Sequence, residues 1–182
     1  RATTADITQE LALENLLTAI LERATDLLGA TGGELGLIDD EEGNIRILVS
    51  HNMGAENVNT TIEFGEGLMG HVAQRKTINM IEDYQHWSGQ METYKESQIH
   101  AAIAAPLMIG TRLLGVIGIM NSDKKRKFSK SEYSLMNLFA QQAAIAVENA
   151  KLFEESKRQA RIDLTTELYN RRGLFELGER EI

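Results

Sequence analysis

Two strongly apolar runs separated by a short turn constrain the fold of this chain more than any other feature. Residues 101–109 and 113–120 flank the turn Gly110, Thr111 and Arg112. Apolar runs of strand length joined by a glycine-containing turn predict a tight antiparallel hairpin, and near-continuous hydrophobicity predicts strands covered on both faces. We therefore expect this hairpin to form the core of a sheet.

Shorter alternating or apolar runs predict the rest of the sheet. Residues 33–38 and 45–50 flank an acidic turn and form a predicted hairpin. Further strands are predicted at residues 60–64 and 77–80, with a short amphipathic helix at residues 68–74 between them.

Residues 81–98, here called the lid segment, carry an irregular mixture of aromatic and polar residues. At most a short helix, near residues 91–96, is expected there. We expect this segment to cover one part of the sheet.

A helical pattern fills the N-terminus, beginning at Asp6, with Gly29 as a stop signal. Its apolar residues recur at three- and four-residue spacing, which predicts an amphipathic helix packed on the domain. These residues are Ile7, Leu11, Leu16, Ile20, Ala24 and Leu27.

A second long helix is predicted near the C-terminus. Ser129 followed by Glu132 matches a capping box, and helical spacing continues at least to Phe153. Two adjoining heptad seams run along it: Leu135, Leu138, Gln142, Ile145, Asn149 and Leu152; and Met136, Phe139, Ala143, Ala146, Ala150 and Phe153. One seam is expected on the sheet and the other on a partner helix, where Asn149 would set the register. Alternatively, both form one broad stripe buried in the same domain.

Composition excludes several functional classes. The chain has 27 acidic against 19 basic residues and a net charge of −8, which disfavours nucleic acid and anionic lipid as partners. It has no cysteine, so disulfides, thiolate metal sites and a cysteine nucleophile are excluded.

The longest apolar run, residues 99–109, is shorter than the ~20 residues of a spanning helix. We expect a cytoplasmic location, no membrane contact by this fragment, and a longer parent protein, since the chain does not begin with Met.

In this order, the elements resemble the GAF domain family over about residues 11–155. The resemblance is carried by Gly65-Glu66-Gly67-Leu68-Met69-Gly70, Ala104-Ala105-Pro106-Leu107, Leu114-Gly115-Val116-Ile117-Gly118, Phe128-Ser129 and residues 142–150. It implies an α+β fold with a central antiparallel sheet, related to the PAS fold, flanked by helices and carrying long amphipathic helices at both ends. A PAS domain is the competing interpretation, and the early Gly-Glu-Gly helix and the two long helices favour GAF.

The GAF resemblance places a small-molecule site between the sheet and the lid segment. Its predicted residues are Met69, Met80, Asp83, Trp87, Met91, Tyr94 and His100. Alternatively, Trp87, Met91 and Tyr94 only close the core. Haem held by His86 or His100 is a minority hypothesis. Cyclic-nucleotide binding is another, because the Asn-Lys-Phe-Asp-Glu set of cyclic-nucleotide-binding relatives is absent. The ligand and any cofactor are unknown, and no metal site is expected.

Residues 163–172 resemble the entry motif of GGDEF domains, the cyclic-di-GMP synthesising family. The match holds at Asp163, Thr166, Leu168, Asn170, Arg171 and Arg172. Thr165 and Glu167 depart from the usual Leu and Gly. The resemblance implies that Asn170 hydrogen-bonds guanine. The alternative is a polar helix end with a solvated arginine pair.

The Gly-Gly-Asp/Glu-Glu-Phe segment that holds the metal in GGDEF enzymes does not occur in this sequence. We therefore expect no catalytic residue and no enzyme in this fragment, although the parent would be of the diguanylate cyclase type. GAF relatives that reduce methionine sulfoxide use cysteines, which this chain lacks.

The expected organisation is an N-terminal helix at 1–30, a GAF domain at 31–155, and a linker with a truncated GGDEF entry at 156–182. The expected function is sensing: a small molecule binds, the chain dimerises through its terminal helices, and the last helix relays the signal. The alternative is a ligand-free dimerisation spacer.

Overall fold

The computed structural model describes residues 2–178, with side chains as far as Arg172. Helices and strands follow the predicted order. They are α1 (Thr4–Leu27), β1 (Gly32–Asp39), β2 (Asn44–His51), β3 (Thr61–Ile62), α2 (Gly67–Arg75), β4 (Asn79–Ile81), β5 (Ala101–Ile109), β6 (Arg112–Asn121) and α3 (Lys130–Gly178). Three short 3₁₀ helices lie at Ala55–Asn57, Tyr84–His86 and Glu92–Tyr94.

The six strands form one antiparallel sheet in the order β3-β2-β1-β6-β5-β4. The apolar hairpin predicted from the sequence is β5 and β6, which turn at Gly110 with a φ of 60°. Both of its strands have neighbours on either side, β1 next to β6 and β4 next to β5. The predicted α+β class with a central antiparallel sheet is therefore confirmed.

One face of the sheet packs against α1 and the first part of α3. The odd-numbered residues of β5 from Ala101 to Leu107 point to this face, together with Leu35 of β1. From α3 come Met136, Phe139, Ala140, Ala143, Ala144 and Val147, which are all buried there.

The buried face of α1 differs from the predicted one. Leu17, Leu21, Ala24 and Leu28 are buried against the sheet. Of the predicted stripe, Ala24 is buried and Ile20 is half-buried, whereas Ile7, Leu11, Leu16 and Leu27 are exposed. Three- and four-residue spacing fits either of two adjoining stripes, and contact with the sheet selects one of them.

The opposite face of the sheet is covered by α2 and the lid segment. Ala102 and Ala104 of β5 and Val116 of β6 point to this side, because side chains alternate along a strand. Small residues on this face let α2 approach closely: a Cβ added at Gly118 would lie 3.3 Å from the Met69 side chain. This second layer contains the space where the ligand site was predicted.

The predicted capping box begins α3. Ser129 Oγ accepts from the Glu132 amide at 3.3 Å, and Glu132 Oε2 accepts from the Ser129 amide at 2.6 Å. Of the two predicted seams, Met136, Phe139 and Ala143 are buried, whereas Leu138 and Ile145 are 50% and 54% exposed. A single broad stripe buried in the domain does not fit those two exposures.

The chain forms two compact units, residues 1–148 and 149–182. The first holds the sheet and its covering helices. In the second, α3 continues with exposed apolar side chains, and Lys157 Nζ lies 4.8 Å from the centre of the Phe153 ring. Among the described helices, none is both long and apolar enough to cross a membrane.

Candidate functional site

A small cavity lies between the sheet, α2 and the lid segment. Its volume is about 20 Å³, which is room for roughly one water molecule. The wall is mostly apolar, with one carboxyl group and two phenol groups. It is formed by Glu34, Ile62, Leu68, Met69, Tyr84, Met91, Tyr94, Ile99, Ala102 and Met120.

The carboxyl group in this wall belongs to Glu34 on β1, one of the two central strands. Its neighbours across the ladders are Ser50 on β2 and Gly118 on β6. The residue is 0% exposed. A carboxylate at such a position must be hydrogen-bonded, since burying an unpaired charge costs several kcal/mol.

Three side chains supply those hydrogen bonds. Asn57 Nδ2 donates to Glu34 Oε1 at 2.7 Å, and the Tyr94 hydroxyl donates to Oε2 at 2.8 Å. Ser50 Oγ lies 3.5 Å from Oε1. Asn57 is itself held, because its Nδ2 also donates to the Met53 carbonyl at 2.9 Å. Glu34 therefore ties β1 to the 3₁₀ helix at Ala55–Asn57 and to the lid segment.

The cavity shifts the pKa values of the groups inside it. Burial raises the pKa of the Glu34 carboxyl above its ordinary value, and the hydrogen bonds from Tyr94, Asn57 and Ser50 oppose that rise. Burial also raises the pKa of Tyr94, and the neighbouring Glu34 carboxyl adds to it. Tyr94 is therefore a neutral hydrogen-bond donor at physiological pH.

A larger groove of about 370 Å³ opens to solvent on the other side of Tyr94, and we call it the outer groove. Tyr94, Ile99 and Met120 belong to the walls of both spaces. The outer groove is more polar than the cavity. Its remaining wall is Thr31, Asn52, Met53, Glu56, Asn57, Thr93, Ser97, Gln98, Asn121 and Ser122.

Hydrogen bonds within the lid segment hold it over the sheet. The Tyr84 amide donates to the His100 carbonyl at 2.7 Å. Gln85 Nε2 lies 2.9 Å from the carbonyl oxygens of both Ser97 and Ile99. These contacts connect the two ends of the lid segment, so the residues between them form a closed loop.

Three of the seven predicted site residues line the cavity. Met69 comes from α2, and Met91 and Tyr94 come from the lid segment. Met91 packs tightly against the start of α2, since a Cβ at Gly67 would lie 2.6 Å from its Cγ.

The other four lie elsewhere. Met80 packs on the opposite face, in the layer of α1 and α3, and its neighbour Ile81 faces the lid side. Asp83 is exposed, and His86 Nδ1 lies 2.9 Å from its Oδ2. Trp87 packs outside the cavity, with its ring 5.3 Å from His71 and 5.7 Å from Tyr84. His100 is half-buried and contributes its backbone to the lid and β6 contacts.

Glu34 and Asn57 were missed by the sequence interpretation. A lone acid among glycine and apolar residues in a predicted strand was the available signal for Glu34. Nothing local marked Asn57, because its role depends on a contact with β1.

The remaining predicted residue, Asn170, is exposed on α3 in the second unit. An open groove of about 510 Å³ is lined nearby by Thr165, Leu168, Tyr169 and Arg172. In the part of the chain that the structure describes, no three His, Asp or Glu side chains come together in a way that could hold a metal ion.

Comparison with known proteins places this geometry in a family. A dual 3′,5′-cyclic-AMP and -GMP phosphodiesterase 11 from Drosophila melanogaster is 23% identical over 94% of this chain, which spans 13% of that enzyme's length. The GAF domain of a phosphoenolpyruvate-protein phosphotransferase from Coxiella burnetii has a TM-score of 0.72, with 23% identity, covering 83% of this chain and 94% of that one. The corresponding Acinetobacter domain has a TM-score of 0.69 and 17% identity, covering 83% of this chain and 97% of that one.

A family model described as the GAF domain matches residues 10–148. The match ends where the first compact unit ends. GAF domains are regulatory, small-molecule-binding modules of signalling proteins. This chain belongs to the GAF domain family.

Proposed function

We propose that this chain is the sensory part of a cytoplasmic signalling protein. A small molecule binds between the sheet and the lid segment, and α3 relays the change to a GGDEF-type cyclic-di-GMP output domain. In that domain Asn170 hydrogen-bonds guanine, as its motif position implies.

The observation that carries this proposal is that α3 is one continuous helix from its contacts with the sheet to the GGDEF-like residues. Its first part packs Met136, Phe139 and Val147 against the sheet, and the same helix includes the GGDEF-like residues 163–172. Coupling between sites is carried by rigid secondary elements that have two discrete arrangements, and we propose this role for α3. A ligand biases such an equilibrium only by its differential affinity for the two states, and coupling of about 1–3 kcal/mol is typical.

We also propose that the chain acts as a homodimer through its terminal helices. Leu138, Ile145 and Leu152 recur at heptad spacing on α3 and are 50%, 54% and 53% exposed. Ile7 and Leu11 add exposed apolar surface on α1. A second copy of α3 would cover the heptad seam, as in a parallel coiled coil.

A ligand-free dimerisation spacer is the second candidate. The size of the cavity, about 20 Å³, favours it, because no metabolite fits without movement of the lid segment. The buried Glu34 and the adjoining outer groove favour sensing, since a core that served only packing would be more stable with an apolar residue at this position.

Native mass spectrometry of the protein purified from its own host separates the two candidates. Spectra under native and denaturing conditions give the oligomeric state and any bound small molecule. A dimer that releases a discrete molecule supports sensing. A dimer that carries nothing, with a melting temperature unmoved by a metabolite panel, supports the spacer. A strict monomer at high concentration contradicts the dimer mechanism.

Reading the coding sequence of the whole protein beyond Ile182 tests the proposed GGDEF output domain. A Gly-Gly-Asp/Glu-Glu-Phe segment in the next ~150 residues, about one domain length, supports the cyclic-di-GMP link. A different domain in that position contradicts it and leaves the sensing proposal intact.

A further inference from the structure

Tyr94 lies at the boundary between two spaces, together with Ile99 and Met120. It lies in the wall of the outer groove and in the wall of the inner cavity, and its hydroxyl donates to Glu34 inside. Its backbone lies in the short 3₁₀ helix Glu92–Tyr94, a part of the lid segment with no ladder contacts to the sheet. Of the three residues that line both the cavity of about 20 Å³ and the groove of about 370 Å³, Tyr94 is the one that belongs to the lid segment and carries a polar group.

Once Tyr94 moves, Glu34 Oε2 loses its donor while Oε1 keeps Asn57 at 2.7 Å. The carboxylate is then held in place with one oxygen ready to accept a new hydrogen bond. Around it the cavity wall is apolar, with Ile62, Leu68 and Met69 on one side. A buried acceptor of this kind binds a donor tightly, and a charged donor most tightly.

Asn121 supplies a second polar group along the same route. It lines the outer groove and is 3% exposed. Its Oδ1 accepts from the Asp123 amide at 3.0 Å, which fixes the orientation of the carboxamide. Its Nδ2 has no hydrogen-bond acceptor among the described residues. This nitrogen is itself buried, so a ligand would reach it only after local movement of the groove wall.

We propose that Tyr94 is the gate of the ligand site and that Glu34 recognises a protonated primary amine carried on an apolar body. The inference rests on the proposed function, because it names the class of ligand that the lid-covered site binds. The amine replaces the Tyr94 hydroxyl on Glu34, the apolar body contacts the cavity wall, and the outer end of the ligand reaches Asn121.

The negative charge of Glu34 favours a cationic headgroup on the ligand. An anionic headgroup next to Glu34 would bring two negative charges together in an apolar cavity, which is strongly unfavourable. The net charge of −8 adds a long-range preference of the same sign. Phosphates and carboxylates are therefore excluded from the inner end of the site, although the outer groove could hold one.

Three probes that differ only in their headgroup test this selection: n-hexylamine, 1-hexanol and hexanoate. Trp87 is the single tryptophan of the chain, and its ring lies 5.7 Å from the Tyr84 ring on the lid segment. Its fluorescence therefore reports movement of the lid. We expect hexylamine to bind and to change Trp87 emission, with affinity at least about tenfold above hexanol and no detectable binding of hexanoate.

Two variants locate the contact. Glu34→Gln keeps the shape and removes the charge, so hexylamine should bind at least about tenfold more weakly, approaching hexanol. Tyr94→Phe removes the competing hydroxyl, so hexylamine should bind about threefold more tightly or better. Glu96→Gln is the matched control, because Glu96 is an exposed carboxylate on the lid segment; its affinity should stay within about twofold of the wild type. Circular dichroism of each variant establishes that it is folded.

Equal binding of the three probes would overturn the inference, as would hexylamine binding that survives Glu34→Gln or weakens in Tyr94→Phe. If Glu34→Gln fails to fold, the Tyr94→Phe result and the order of the three probes decide the matter. Native mass spectrometry keeps the two proposals apart. An anionic or amine-free ligand bound to the native protein overturns the amine and leaves sensing standing. A bare protein that binds none of the three probes overturns the amine, and sensing is overturned as well if the metabolite panel leaves its melting temperature unmoved.

Discussion

Among single residues, Glu34 makes the stability of the fold depend on pH. Burial raises its pKa above the ordinary carboxyl value of 4.5. Between 4.5 and the raised pKa, the folded state therefore binds more protons than the unfolded state. The free energy of unfolding contributed by Glu34 is greatest below 4.5 and falls as pH rises through the raised pKa.

Glu34→Gln removes this proton linkage. We expect the difference in free energy of unfolding between the wild type and this variant to fall as pH rises above 4.5. The total fall is about 1.4 kcal/mol for each pH unit by which the pKa of Glu34 is raised. Urea unfolding of both proteins between pH 4.5 and 8 measures it. A difference that stays constant over this range would show that Glu34 is not protonated more readily in the folded protein.

Among elements, α2 depends on a close approach at Gly70. A Cβ there would lie 2.3 Å from the Glu63 carbonyl oxygen, which belongs to the backbone before the helix. Alanine is better than glycine in a helix by about 1 kcal/mol, so propensity alone favours Gly70→Ala. We expect the steric clash to win, with a net loss of about 1–3 kcal/mol in urea unfolding. Gln74→Ala, an exposed site on α2, should change stability by less than about 0.5 kcal/mol; a stabilised Gly70→Ala would contradict the packing.

The start of α3 depends on its capping box. Ser129→Ala leaves the Glu132 amide without its side-chain acceptor, so we expect a loss of about 1 kcal/mol in the free energy of unfolding. Ser134→Ala is the control, because Ser134 is an exposed serine one turn inside the helix. It should be neutral or slightly stabilising, since alanine has the higher helix propensity. Equal losses in the two variants would show that the cap contributes nothing.

For the whole molecule, the exposed seam of α3 predicts association. Ile145 lies on the side of the helix away from the buried Met136 and Ala143. Ile145→Lys should therefore leave the fold intact and shift a dimer toward monomer by at least about tenfold in dissociation constant, because a charge would be buried at the seam. Sedimentation velocity over a concentration series measures the shift.

Asn137→Lys is the matched control for charge. Asn137 is exposed on α3 but lies off the heptad seam, and the variant should dimerise like the wild type. Loss of dimer in both variants would indicate a general charge effect, and an unchanged Ile145→Lys dimer would place the interface elsewhere.

Local sequence patterns were sufficient to predict most helices and strands and the fold class. The bounds of β5 were predicted to the residue, because an apolar run ending at a glycine turn has one reasonable assignment. The capping box at Ser129 and Glu132 was predicted in full, since it depends on residues three apart. The order of these elements was enough to indicate the family.

The choice between faces was made only by tertiary structure. Alternation along a strand separates Met80 from Ile81 without saying which side the lid segment covers. On α1, the spacing of apolar residues admitted a stripe that lies largely in solvent, and contact with the sheet buried Leu17 and Leu21 instead.

The candidate site depends on contacts that no local pattern contains. Glu34 and Tyr94 are 60 positions apart, and Glu34 and Asn57 are 23 apart. The sequence by itself determined the helices, the strands and the family, because those follow from neighbouring residues and their periodicity. Only the folded chain decided that Glu34 is buried and that Tyr94 donates a hydrogen bond to it, because burial depends on which distant segments come together.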